Sequence, residues 1–169
     1  MKILFIIPHH DFYDEEYFEL KTLLENPENK IDTASTHLSE AQGKFKHLVE
    51  PDFLISSVMA SDYDAYVLIG GEGAKELYHD EILHSLIRDI IAARKLLILF
   101  SEAVMVLYFS GIINNRRVTA LENMKSDLEA GGAYFTGTEI EYDDDLITAS
   151  GHYAVPYIAK DILKFSNKR

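Results

Sequence analysis

Asp62-Tyr63-Asp64-Ala65-Tyr66-Val67-Leu68-Ile69-Gly70-Gly71 is the stretch on which the fold turns. Residues 66–69 form a short, unbroken apolar run closed by two glycines, which reads as a strand buried on both faces. Residues 2–7 repeat the pattern with a β-branched bias and are stopped by Pro8, and residues 96–100 repeat it again. Such strands belong to parallel sheets, whose crossovers are helices. Helical periodicity stands where those crossovers are needed. Tyr17, Phe18, Leu20, Leu23 and Leu24 lie at near-helical spacing in residues 14–25. Asp14, Glu15 and Glu16 fall in the first turn, where the helix dipole favours carboxylates. Ile82, Leu83, Leu86, Ile87, Ile90 and Ile91 give residues 80–94 the clearest amphipathic pattern.

The remaining segments extend the alternation. Residues 31–36 and 117–120 read as strands, and residues 44–54 as a hairpin-like excursion around Pro51. Residues 102–109 read as a short apolar helix stopped by Gly111. Residues 126–130 read as a helix ended by Gly131-Gly132, and 139–142 with 146–149 as a hairpin across the solvated turn Asp143-Asp144-Asp145. Residues 153–165 close the chain as a helix. The order predicts an α/β, three-layer sandwich with a mainly parallel, flavodoxin-like central sheet, formed by one domain over residues 1–169. In such sheets ligands bind at the carboxyl ends of the strands. Those ends are His9-His10, Gly70-Gly71, Ser101-Glu102, Leu121-Glu122 and Ser150-Gly151-His152.

Composition narrows the chemistry. The 169 residues are 47% hydrophobic and 26% charged, so the chain has material for a core and is not disordered. Acidic residues outnumber basic ones 28 to 16, a net charge of -12 that repels phosphate backbones. Arg116-Arg117 is too short to offset it, so no nucleic-acid partner is expected. Cysteine is absent, which removes disulfides, zinc–thiolate sites and any thiol nucleophile. No apolar run is long enough to span a bilayer, and the tail at residues 165–169 carries no lipidation signal. A cytoplasmic protein with no membrane partner is the expectation. Gly70-Gly71-Glu72-Gly73 completes no phosphate-binding motif, so no nucleotide cofactor is expected. Glu16, Glu102, His10 and His152 would offer carboxylates and imidazoles if gathered, but no H-x-x-x-H or H-E-x-x-H spacing supports a metal. His37, His47, His79 and His84 read as solvated.

Four blocks, taken in order, resemble one family. They are the opening strand with Phe12-Tyr13-Asp14-Glu15-Glu16, then the stretch 62–71, then residues 95–119 ending in Asn115-Arg116-Arg117-Val118-Thr119, and finally Leu146-Ile147-Thr148-Ala149-Ser150-Gly151. Together they resemble the ThiJ/PfpI family of the class I glutamine amidotransferase-like superfamily. The resemblance implies a cysteine on a strained elbow after the fourth strand, with a glutamate from the first helix bonded to it. It also implies an oxyanion hole of backbone amides, a histidine in many members, and a homo-oligomer, dimer or higher.

In this sequence Ser101 stands at the cysteine position, Glu102 at the adjacent histidine position, and Leu121 where some members keep a histidine. Glu16 matches the glutamate and Gly70-Gly71 the oxyanion turn. His152 stands where the family usually has proline. Two readings follow. In the first, the chain has lost the family's cysteine peptidase, deglycase or glyoxalase chemistry and keeps a pocket for a small-molecule ligand at the elbow. Ser101 is then a small residue tolerated in a tight turn, and Glu102 caps the helix that follows. In the second, the protein is a serine hydrolase or amidase. Ser101 is its nucleophile, His152 or Glu16 the base, and the amides of Gly70, Gly71 and Glu102 the ligand and oxyanion donors. A partner-binding role is a third expectation that the acidic surface permits.

Overall fold

A computed structural model describes residues 1–166; the tail reading extends over residues 167–169, which lie outside the described residues. In chain order the elements are β1 (Lys2–Ile6), β2 (His10–Phe12), α1 (Asp14–Leu24), β3 (Lys30–Ser35), β4 (Ala41–Gly43) and β5 (Leu48–Val49). Next come β6 (Phe53–Leu54), β7 (Ala65–Leu68), α2 (Glu81–Ala92), β8 (Leu96–Phe100), α3 (Met105–Phe109) and β9 (Arg117–Val118). The chain continues through α4 (Lys125–Ala130), β10 (Tyr134–Phe135), β11 (Ile140–Asp143), β12 (Leu146–Ala149) and α5 (Val155–Ser166). Short 3-10 turns at Glu72–Leu77, Ser101–Val104 and His152–Ala154 follow β7, β8 and β12.

The central sheet has seven strands in the order β11-β12-β8-β7-β1-β3-β6. Every pairing in it is parallel except β11 with β12. Side chains alternate between the faces of a strand, so a strand apolar at every position feeds two cores. Leu4, Ile6, Tyr66, Leu68, Leu97 and Leu99 pack with Leu83, Ile87 and Ile90 of α2 on one face. Ile3, Phe5, Val67, Ile98 and Phe100 pack on the other with Tyr17, Leu20 and Leu24 of α1 and Ile158 and Ile162 of α5. The Asp80 carboxylate starts α2 by accepting from the N–H groups of Ile82 and Leu83 at 2.9 and 3.0 Å.

Two segments differ from their sequence reading. The excursion at 44–54 divides. β4 and β5 pair antiparallel and join β2 in a separate three-stranded sheet, whereas β6 pairs parallel with β3 at the edge of the main sheet. The cause is Asp14, whose buried carboxylate accepts from Phe45 N–H and bonds His47 Nδ1, each at 2.8 Å, and so ties the β4–β5 ribbon to α1. The strand expected at 117–120 stops at Val118 and pairs with β10, outside the central sheet. Thr119 is engaged elsewhere: its N–H donates to Thr148 Oγ1 at 2.9 Å and its hydroxyl to the Thr138 carbonyl. His84 is buried rather than solvated, with Nε2 2.9 Å from the Tyr78 carbonyl. Among the described residues no helix is long and apolar enough to cross a membrane.

Candidate functional site at the end of β8

β8 ends at Phe100 in extended backbone, and Ser101 then turns to φ +49°. This is the left-handed region, which a residue with a Cβ enters at a cost of roughly 1–2 kcal/mol. The turn aims the Ser101 hydroxyl at α1, where it donates to Glu16 Oε1 at 2.5 Å. Glu16 is reached because Tyr13 N–H donates to the Gly70 carbonyl at 3.0 Å, which fixes the start of α1 against the end of β7. The other carboxyl oxygen, Glu16 Oε2, accepts from Gly70 N–H at 2.8 Å. Gly70 has no room for a side chain: a Cβ there would lie 2.7 Å from Ser101 Cβ and 2.8 Å from the Phe100 carbonyl. Gly71, at φ +112°, must be glycine by conformation, and a Cβ there would also press on the backbone of Phe12 and Tyr13.

Glu102 does not cap its helix, contrary to the sequence reading. Its side chain turns back to β7, where Oε2 accepts from Gly71 N–H at 2.9 Å and Oε1 from the Tyr13 hydroxyl at 3.0 Å. The Glu102 carbonyl accepts from the Tyr78 hydroxyl at 3.0 Å. The two glycine amides expected to serve a ligand therefore both donate to carboxyl groups of the protein itself.

Burial dominates the electrostatics. Glu16 is completely buried, and this raises its pKa from 4.5 to about 8. The hydrogen bonds from Ser101 and Gly70 pull it down, and the Glu102 charge pushes it up further. Glu16 is then mostly protonated at neutral pH and is not in the carboxylate form that could take a proton from Ser101. Burial, followed by the Glu102 charge, also pushes the Tyr13 hydroxyl well above the usual phenol range, so Tyr13 is held as a donor.

A cavity of about 610 Å³ opens beside these groups. Tyr13, Glu16, Lys44, Ser101, Leu121 and His152 form part of its wall, whereas Gly70, Gly71 and Glu102 do not. The Lys44 ammonium lies 5.2 Å from the centre of the Tyr13 ring. His152 reaches the cavity from the turn after β12 and lies against Tyr153, with ring centres 4.0 Å apart and the planes tilted by 35°. Among the described residues it has no hydrogen bond to Ser101 or Glu16, so the expected Ser101–His152–Glu16 chain is present only in its Ser101–Glu16 link. His10 is bonded to Glu76 at 2.8 Å and is not part of the cavity wall. No group of three or more His, Asp or Glu side chains among the described residues is arranged to hold a metal.

Ser101 in left-handed backbone, Glu16 from the first helix and the Gly70-Gly71 turn thus meet at one strand end. A model of the DJ-1/PfpI family matches residues 1–165. The chain belongs to the DJ-1/PfpI family. An uncharacterized protein of Methanocaldococcus jannaschii is 28% identical over 170 residues, covering 99% of this chain and 83% of that protein. A protein of Pyrococcus horikoshii named a deglycase is 23% identical over 149 residues, covering 88% of this chain and 89% of the relative. Among solved structures, a ThiJ/PfpI domain protein from Brachyspira murdochii superposes with a TM-score of 0.92 at 27% identity, over 99% of this chain and 97% of that one. Drosophila melanogaster DJ-1beta shares the fold, with a TM-score of 0.82 at 22% identity over 95% and 88% of the two chains.

Sequence reasoning missed Tyr13 and Tyr78. Tyr13 lies inside a block that carries the family resemblance, so its position was visible although its partner was not. Nothing in the sequence pairs Tyr78 with the turn at 101–104.

Proposed function

We propose that this DJ-1/PfpI protein does not perform the cysteine-based peptidase, deglycase or glyoxalase chemistry and uses the cavity beside Ser101 to bind a small molecule. One observation carries the reading. In a chain without cysteine, Glu16 and Glu102 take up the Gly70 and Gly71 amides that would otherwise stabilise a developing oxyanion. The deglycase name of the Pyrococcus relative does not transfer, because the resemblance assigns that chemistry to a thiol and Ser101 has none. A serine hydroxyl is a far weaker acid than a thiol and needs a base. Glu16 keeps its own proton to about pH 8, and His152 is not bonded to Ser101. A screen of small molecules followed by amide NMR tests the reading: bound compounds shift Ser150, Gly151 and Ala154 together, three residues of the cavity wall. Compounds that leave these three unmoved, across a diverse set, count against it.

A second reading keeps Ser101 as the nucleophile of a hydrolase or amidase, with Glu16 and His152 as its partners. Its support is the left-handed backbone of Ser101 and the 2.5 Å contact with Glu16. Labelling by a fluorophosphonate, abolished in Ser101→Ala, would favour it over the first. We also infer assembly into a homo-oligomer, dimer or higher, on the family resemblance; sedimentation equilibrium giving a monomer mass at micromolar concentration removes that inference.

A further inference from the structure

Glu102 is almost completely buried, and among the described residues it forms no ion pair. A carboxylate withdrawn from water is unstable unless hydrogen bonds replace its hydration. Two donors do so, one on each oxygen: Gly71 N–H at 2.9 Å and Tyr13 O–H at 3.0 Å. Neither belongs to the helical turn that carries Glu102. Gly71 is set by its φ of +112° and by the close backbone of Phe12 and Tyr13, the Tyr13 main chain by its N–H bond to the Gly70 carbonyl, and the Tyr13 ring faces the Lys44 ammonium at 5.2 Å. The two donors thus converge on one carboxylate from elements other than the one that carries it, and form a cradle for it. Charge-assisted bonds of this kind are about twice as strong as neutral ones, so the cradle discriminates by charge.

We propose that Gly71 N–H and Tyr13 O–H form a carboxylate-binding subsite that Glu102 occupies as an internal ligand, and that a small monocarboxylate takes its place when the Glu102 side chain is removed. Tyr13 is also a wall of the cavity, so the subsite adjoins it. With Glu102 in place the protein excludes carboxylates from this position. The inference goes beyond the small-molecule reading and does not depend on it.

The test is Glu102→Ala in the full chain, titrated with sodium acetate at constant ionic strength. Acetamide and methylammonium serve as neutral and cationic counterparts of acetate. Acetate is expected to give a saturable shift of the Gly71 amide and a higher Tm. Acetamide should bind roughly tenfold more weakly or worse, methylammonium should leave Gly71 unmoved, and the wild-type protein should show no acetate response at Gly71. Adding Tyr13→Phe to the variant should remove most of the acetate response. If Glu102→Ala is unfolded in chloride buffer, the same titration is read as recovery of the folded spectrum by acetate. The proposal is overturned by a folded variant whose Gly71 amide ignores acetate, by an equal response to acetamide, by a response unchanged in the double variant, or by an unfolded variant that acetate does not recover. These results concern the cradle alone; whether the native cavity takes a ligand is decided by the NMR screen above.

Discussion

Ser101 and Glu16 are bonded to one another inside the protein, and the proton that Glu16 holds has a thermodynamic signature. Below about pH 4.5 Glu16 holds a proton in both the folded and the unfolded chain. Between there and about pH 8 only the folded chain holds it. A raised folded-state pKa therefore contributes stability that is full below the unfolded value and is lost as pH rises through the folded one. The loss is on the order of 1 kcal/mol per pH unit within that window. Glu16→Gln lacks this term, so the stability of the wild type relative to the variant should decline from about pH 5 to about pH 8 in urea melts; a constant difference would contradict the protonation assigned to Glu16. Gly70 sets the neighbouring contact. With Ser101 Cβ and the Phe100 carbonyl under 3 Å from any added Cβ, Gly70→Ala should cost about 2 kcal/mol or more, read from thermal unfolding. At this scale the sequence made Ser101, Glu16 and the double glycine legible, because the block order places them. It did not reveal that Glu102 bonds Gly71 and Tyr13, because that partnership joins three elements across the fold, and local pattern pointed to a helix cap instead.

Elements were legible wherever one periodicity ruled. β7 and β8 are apolar at every position and β1 is from Ile3 onward, and α2 carries a stripe and an Asp80 cap, so their limits fell within two residues of the expectation. The segments at 44–54 and 117–120 lacked such a pattern, and their placement depends on single polar side chains, Asp14 for the ribbon and Thr119 for the end of β9. The ribbon matters to the site because Lys44, next to its tip, leans over the Tyr13 ring. Asp14→Ala removes the acceptor of Phe45 N–H and the partner of His47, two bonds to a buried carboxylate. A loss of about 2 kcal/mol is expected. Hydrogen exchange should accelerate across residues 41–49 while β7 and β8 stay protected; equal acceleration in all three would mean that Asp14 holds the whole fold rather than the ribbon.

Across the whole molecule, a sheet with a core on each face carries three layers and brings the ends of β7, β8 and β12 to one edge, where the cavity lies. That architecture is common to the family, and it says where chemistry would occur without saying that it does. On the function proposed above, this chain keeps the family's site and not its covalent chemistry. Consumption of methylglyoxal by the purified protein, followed against buffer and against Ser101→Ala, tests it most directly. Loss at the buffer rate is expected for both proteins. Robust turnover by the wild type that Ser101→Ala abolishes would contradict it.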